Sequence, residues 1–147
     1  MTSYKIIYDR FKLKIEDMDL NSLCDSDQND MLLGYLNTAL AYIELDKLKI
    51  KSDLSLKNDE EKVFTDDLYN SEIEVLALYM IVAWYEPKVN SLEHTLLFMG
   101  TKDEKWTNQK DHYKVTKDIQ ESYRIKARKY FRNYAYKTHD YKTGDES

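Results

Sequence analysis

The sequence predicts an all-α protein, a small bundle of four to five helices whose long last helix partly protrudes. Three observations carry that expectation. One proline and three glycines in 147 residues leave few chain breakers, whereas a sandwich or barrel needs turn residues about every 8–12 positions. Apolar residues recur at steps of three and four over several stretches, the period of a helix face. The run from Val75 to Tyr85 is uncharged and apolar nearly all round, as in a helix covered on several sides.

Each element follows from its own pattern. Tyr4, Ile7, Tyr8, Phe11 and Ile15 mark one face of a first helix, with Ser3 as its cap. An acidic stretch follows, and then Leu32, Leu33, Leu36, Leu40 and Ile43 define a second helix. Asp25 or Ser26 would cap it, and acidic residues in its first turn suit the helix dipole. Residues 46–62 are polar, lack periodicity and read as a loop or poorly ordered connection. Ser71-Glu72-Ile73-Glu74 has the form of a capping box. The helix it opens would carry the core, with Ile73, Leu76, Ala77, Met80 and Trp84 inside. Pro87 should end that helix at Glu86, because proline lacks a donor and disfavours helical dihedrals before it.

Beyond Pro87, Leu92, Leu96 and Leu97 suggest a short helix capped by Asn90 or Ser91 and closed by Gly100. Phe98, Met99 and Trp106 are read as an extended pair around the TKDEK turn. From Asn108 a long helix runs to about residue 135, roughly 40 Å at 1.5 Å per residue. Val115, Ile119, Tyr123, Ala127, Tyr130 and Tyr134 form one stripe on it, and Lys117, Glu121, Arg124, Arg128 and Arg132 another. Residues 1–136 form one domain, and residues 137–147 read as a mobile tail.

Composition narrows the class. Cys24 stands alone, so no intrachain disulfide staples the fold. The longest uncharged apolar run, Val75 to Tyr85, is eleven residues, well short of the roughly 20 that a spanning helix needs. The first residues are too charged for the apolar stretch of a signal peptide. The net charge of −5 hides an asymmetry: residues 110–142 hold ten Lys/Arg against four Asp/Glu, and the rest is strongly acidic. Six of the thirteen tyrosines lie beyond residue 112. A basic, aromatic segment on an acidic body suits an acidic protein surface or a nucleic acid.

Signatures of catalysis are sparse. His94, His112 and His139 are 18 and 27 residues apart, so no two share a helix face at ligand spacing, and no metal or cofactor is expected. Asp25-Ser26-Asp27-Gln28-Asn29 begins like a calcium loop. It then places Asp30 where glycine is needed and Leu36 where a bidentate glutamate belongs. The chain has no glycine-rich phosphate loop and no nucleophile elbow. Cys24 lies in an acidic flank that works against a thiolate nucleophile. The reading is a non-enzyme. The feature that points outward is the basic-aromatic segment: Arg124, Arg128, Lys129, Phe131, Arg132, Tyr134 and Tyr136.

These residues together resemble a family. The E-I-x-x-L-A-x-x-M-x-x-x-W core from Glu72 to Trp84 leads to the Pro87-x-Val89 exit and a short Leu-rich segment. The entry at Trp106 and a long charged helix ending in the aromatic patch Tyr130 to Tyr136 complete the pattern. Over roughly residues 19–136 this is similar to the head-tail adaptor (connector, head-completion or neck) proteins of tailed bacteriophages of Gram-positive hosts. The resemblance implies a structural virion protein in the phage neck, made in the host cytoplasm. It implies a ring, usually of twelve copies, bound to the portal protein on one face and to the next neck or tail-completion protein on the other. DNA would pass through the lumen without specific binding, and no membrane would be involved. The terminal basic-aromatic segment would face the portal. The alternatives are a helical nucleic-acid-binding module using the Arg/Tyr face and a small enzyme or regulator with an unrecognised site.

Overall fold

The computed structural model describes the backbone of residues 1–99 and 104–146, and the side chains of 1–17, 20–99 and 107–134. The elements run β1 (Thr2–Ser3), α1 (Tyr4–Lys14), α2 (Met18–Ser22), α3 (Asp25–Leu45), β2 (Lys57–Asn58), β3 (Val63–Phe64), α4 (Asn70–Phe98) and α5 (Glu104–Glu146). The all-α bundle is as expected, with a small three-stranded sheet added to it.

In α1 the predicted face is the buried one: Tyr4, Ile7, Tyr8 and Phe11. The Ser3 hydroxyl accepts from the Lys5 N–H at 3.3 Å, as its place predicts. The acidic stretch that follows hides one turn of helix, α2, whose Leu20 N–H donates to Asp17 at 3.0 Å. α3 begins earlier than a cap at Asp25 or Ser26 allows. Cys24 is its N-cap and makes no side-chain bond, while Asp25 and Asp27 lie within the first turn. There they meet the positive end of the helix dipole without capping it. Leu32, Leu36, Ala39 and Ile43 are buried, and Leu33 and Leu40 pack at the margin of the core. Beyond Asp46, Lys47 turns left-handed at φ 55. The Leu48 N–H reaches Ile43 O at 3.1 Å and the Lys47 N–H reaches Glu44 O at 3.1 Å. This is a Schellman ending with lysine in the place glycine favours.

Residues 46–62 are not a loose connection. β3 pairs antiparallel with β1 on one side and β2 on the other, with Phe64 opposite both Thr2 and Lys57. Phe64 is fully buried, and Leu48, Ile50 and Leu54 pack against the core. Strands of two residues are too short to show alternation, which is why the sequence reads only as polar. The β2–β3 connection is built by side chains. Asn58 accepts from the Glu60 and Glu61 N–H groups at 2.9 and 3.1 Å, and Lys62 adopts a positive φ of 56.

α4 is the central helix, buried over most of its first half. Its cap lies two residues before the predicted box. Glu72 accepts from the Tyr69 N–H at 2.9 Å, while the Ser71 hydroxyl is buried and unpartnered and Glu74 is paired with Lys14 and Arg10. Of the expected core, Ile73, Leu76, Ala77 and Met80 are buried. Trp84 is only half-buried: its indole N–H donates to Asp17 at 2.8 Å, and the Lys88 ammonium lies 4.3 Å from its ring centroid.

Pro87 does not end α4, which continues to Phe98 and absorbs the expected separate helix at Leu92, Leu96 and Leu97. Proline costs one backbone hydrogen bond here. Packing against α5 holds the helix through that point, and the Gln120 amide donates to Val82 O at 3.1 Å. The expected extended pair does not form, because Phe98 ends α4 and Trp106 lies within α5. Gly100 and the side chain of Trp106 lie outside the described residues. α5 starts before Asn108 and runs 43 residues to Glu146, about 64 Å. The predicted tail from 137 is helical in backbone, with Gly144 the one weak helix former of the glycine or proline type in it.

Candidate functional site: the basic-aromatic face of α5

α5 lies on α4 along a face shifted from the predicted apolar stripe. Thr116 and Ala127 are buried, and Gln120, Tyr123, Arg124, Arg128 and Phe131 are half-buried. Of the predicted stripe, Val115, Ile119, Tyr130 and Tyr134 stand in solvent. The shift is about a quarter-turn toward the charged stripe. Its cause is polar: α4 offers the Val82 carbonyl to Gln120, and α3 offers Asp46 to Arg124.

That second contact corrects the Arg stripe. Arg124 donates through Nε and Nη2 to the two Asp46 carboxylate oxygens, at 3.0 and 2.5 Å. The Tyr79 hydroxyl donates to the same carboxylate at 2.6 Å. These bonds, led by those from Arg124, hold the Asp46 carboxyl below its ordinary range and raise Arg124 further. The Arg124 guanidinium also lies 5.1 Å from the Tyr42 ring centroid. The Tyr42 hydroxyl donates to Glu86 at 3.0 Å, and its pKa is pushed up to about 12, chiefly by burial. Arg124 takes its acidic partner from outside α5. Asp46 is that partner, from the far end of α3, 78 residues away in the chain.

The other predicted contact residues divide. Arg128 is half-buried, 3.6 Å from Glu121, and close enough to lower the Asp46 and Tyr79 pKa values by its charge. Phe131 packs against the core margin. Lys129, Arg132 and Tyr134 are exposed. The side chain of Tyr136 lies outside the described residues. Arg124, Arg128 and Phe131 therefore hold α5 to the bundle, and Lys129, Arg132 and Tyr134 are exposed at different points around the helix.

The polar interior elsewhere is structural. Glu72 is buried and accepts from the Ser52 N–H at 3.1 Å and the Ser52 hydroxyl at 2.8 Å, besides Tyr69. Among the described residues no three His, Cys, Asp or Glu side chains gather as a metal site. No helix among them is long and apolar enough to cross a membrane. The grooves among the described residues include one of about 590 Å³ between α3 and residues 48–57 and one of about 460 Å³ between α3 and α4. Comparison with protein-family models, with curated proteins and with solved structures finds no match for this chain.

Proposed function

We propose that this protein is a structural component of a phage neck, a head-tail adaptor that forms a ring beneath the portal and extends the DNA channel toward the tail. The observation that supports this best is the division of labour along α5. Its inner face is clasped to α3 and α4 through Gln120, Arg124 and Ala127, while Lys129, Arg132 and Tyr134 lie in solvent on the same rigid helix. A helix held in this way presents exposed Arg and Tyr side chains, residue types suited to helix-in-groove docking. The acidic remainder of the chain suits a lumen wall that repels phosphate and lets DNA slide. The nucleic-acid reading loses Arg124, whose charge is spent on Asp46.

The test is attachment to a portal protein of a tailed phage of Gram-positive hosts, measured by co-sedimentation with assembled portal. Lys129→Glu with Arg132→Glu should weaken attachment more than tenfold and leave the helical circular dichroism unchanged. Attachment at wild-type strength would remove this end of α5 from the portal interface. No attachment of the wild-type chain would overturn the adaptor reading.

A further inference from the structure

Among the described residues, a face of α3 and a face of α5 that differ in charge have no packing partner. On α3, Met31, Gly34, Thr38, Ala41 and Leu45 recur at steps of three, four, three and four, the spacing of a helix-packing seam. Met31 is 41% and Leu45 69% exposed. A Cβ built on Gly34 meets no atom within 4 Å. Glycine therefore relieves no crowding inside the chain, although it weakens a helix interior. The seam borders the groove of about 460 Å³ whose α4 wall is Ala83, Glu86, Pro87 and Asn90. α3 carries Asp25, Asp27, Asp30 and Glu44 and no Lys or Arg.

On α5 the outward face opposes the one packed on α4. Val115, Ile119 and Ile125 on it are 56%, 38% and 50% exposed. Between 114 and 129 the helix has six Lys/Arg against Asp118 and Glu121. Lys114, Lys126 and Lys129 are exposed there, and Asp118 is exposed with them.

We propose that the outward face of α5 around Val115, Ile119 and Lys126 docks on the α3 seam around Gly34 of a second copy of this chain. The charges choose the occupant, since an uncharged seam with small residues at its centre, headed by Asp27 and Asp30 and walled by Glu86, accepts a basic helix bearing branched apolar side chains. The two faces differ, so the contact is heterologous and propagates by rotation, as ring closure requires. This inference deepens the adaptor reading by naming the contact between subunits. It does not use the portal-facing end at Arg132 and Tyr134.

Gly34→Trp blocks the seam and has open space in which to fold. Ile119→Glu blocks the α5 face at an exposed site. Sedimentation velocity on the full chain should show concentration-dependent assembly of the wild type. Each variant alone should be monomeric and bind itself at least tenfold more weakly, with the helical circular dichroism of the wild type. An equimolar mixture of the two variants should give a 1:1 dimer, because one intact seam and one intact α5 face remain. Assembly of either variant at wild-type strength would overturn the proposal, as would a wild type that stays monomeric at every concentration. The adaptor reading is read out separately by portal attachment. Wild-type rings on the portal that Gly34→Trp does not disturb would remove this interface and leave that reading intact.

Discussion

Arg124 and Asp46 form a two-point ion pair that ties the middle of α5 to the end of α3, with the Tyr79 hydroxyl as a third donor. Asp46 is nearly inaccessible, and the Arg124 side chain keeps 28% of its exposure. Removal of the arginine strands a carboxylate with one remaining donor. Arg124→Ala should cost about 2–3 kcal/mol, less than a fully buried pair because the guanidinium already touches water. Arg124→Lys keeps the charge and loses the fork geometry, so it should recover only part of this. Urea denaturation of both variants measures the difference.

The same carboxylate governs acid stability. Its folded pKa lies below the unfolded value near ~4, so its contribution is present above that value and is lost as pH falls through the folded one. Stability should decline below about pH 4, and Asp46→Asn should flatten that slope while lowering stability at neutral pH. Denaturation midpoints across the acid range check both.

At the alkaline end the buried tyrosines dominate. Tyr8 is pushed up to about 12, chiefly by burial, and its hydroxyl has no hydrogen-bond partner. A group raised in this way contributes stability below the unfolded value of about 10, and the contribution is lost as pH rises through the folded value. Tyr8→Phe should therefore reduce the loss of stability between about pH 10 and 12. At neutral pH it should be neutral or stabilising by up to about 1 kcal/mol, since it removes an unsatisfied buried hydroxyl.

Glu72 holds residues 50–54 against the start of α4 through both Ser52 donors. Glu72→Ala should cost about 2–3 kcal/mol by leaving those donors and the Tyr69 N–H without their acceptor. Hydrogen exchange at the Ser52 amide should accelerate more than at Leu76 or Met80. Equal acceleration at all three would mean that the segment unfolds with the core.

Lys47 occupies a left-handed position at the end of α3. Lys47→Gly should stabilise the protein by about 1 kcal/mol, because glycine reaches that conformation without a Cβ clash. Thermal unfolding reads the gain, and a loss would show that the lysine side chain compensates for the strain.

The periodic elements were legible. Tyr4 through Phe11 and Leu32 through Ile43 are legible as buried faces from spacing, because burial of one helix side imposes that period, and Ile73 through Met80 from a run that is apolar nearly all round. Three features were not legible, each for a long-range reason. The β1–β3–β2 sheet joins Thr2 to Phe64, and two-residue strands carry no alternation. Pro87 was read as a stop because local chemistry says so, but α5 packs alongside and keeps α4 continuous. The Arg stripe was read as an outward surface because its acidic partner is not on its own helix. Asp46 is 78 residues distant in the chain, and no short-range pattern connects the two. Lys129, Arg132 and Tyr134 of that segment are exposed as the docking reading needs, whereas Arg124 is not.

Negative-stain imaging with native mass, on the wild-type chain alone and mixed with an assembled phage portal protein, tests the adaptor role. The expected result is a closed ring seated coaxially on the portal, with the C-terminal end of α5 against it. A chain that remains monomeric and unattached in the presence of assembled portal would contradict it.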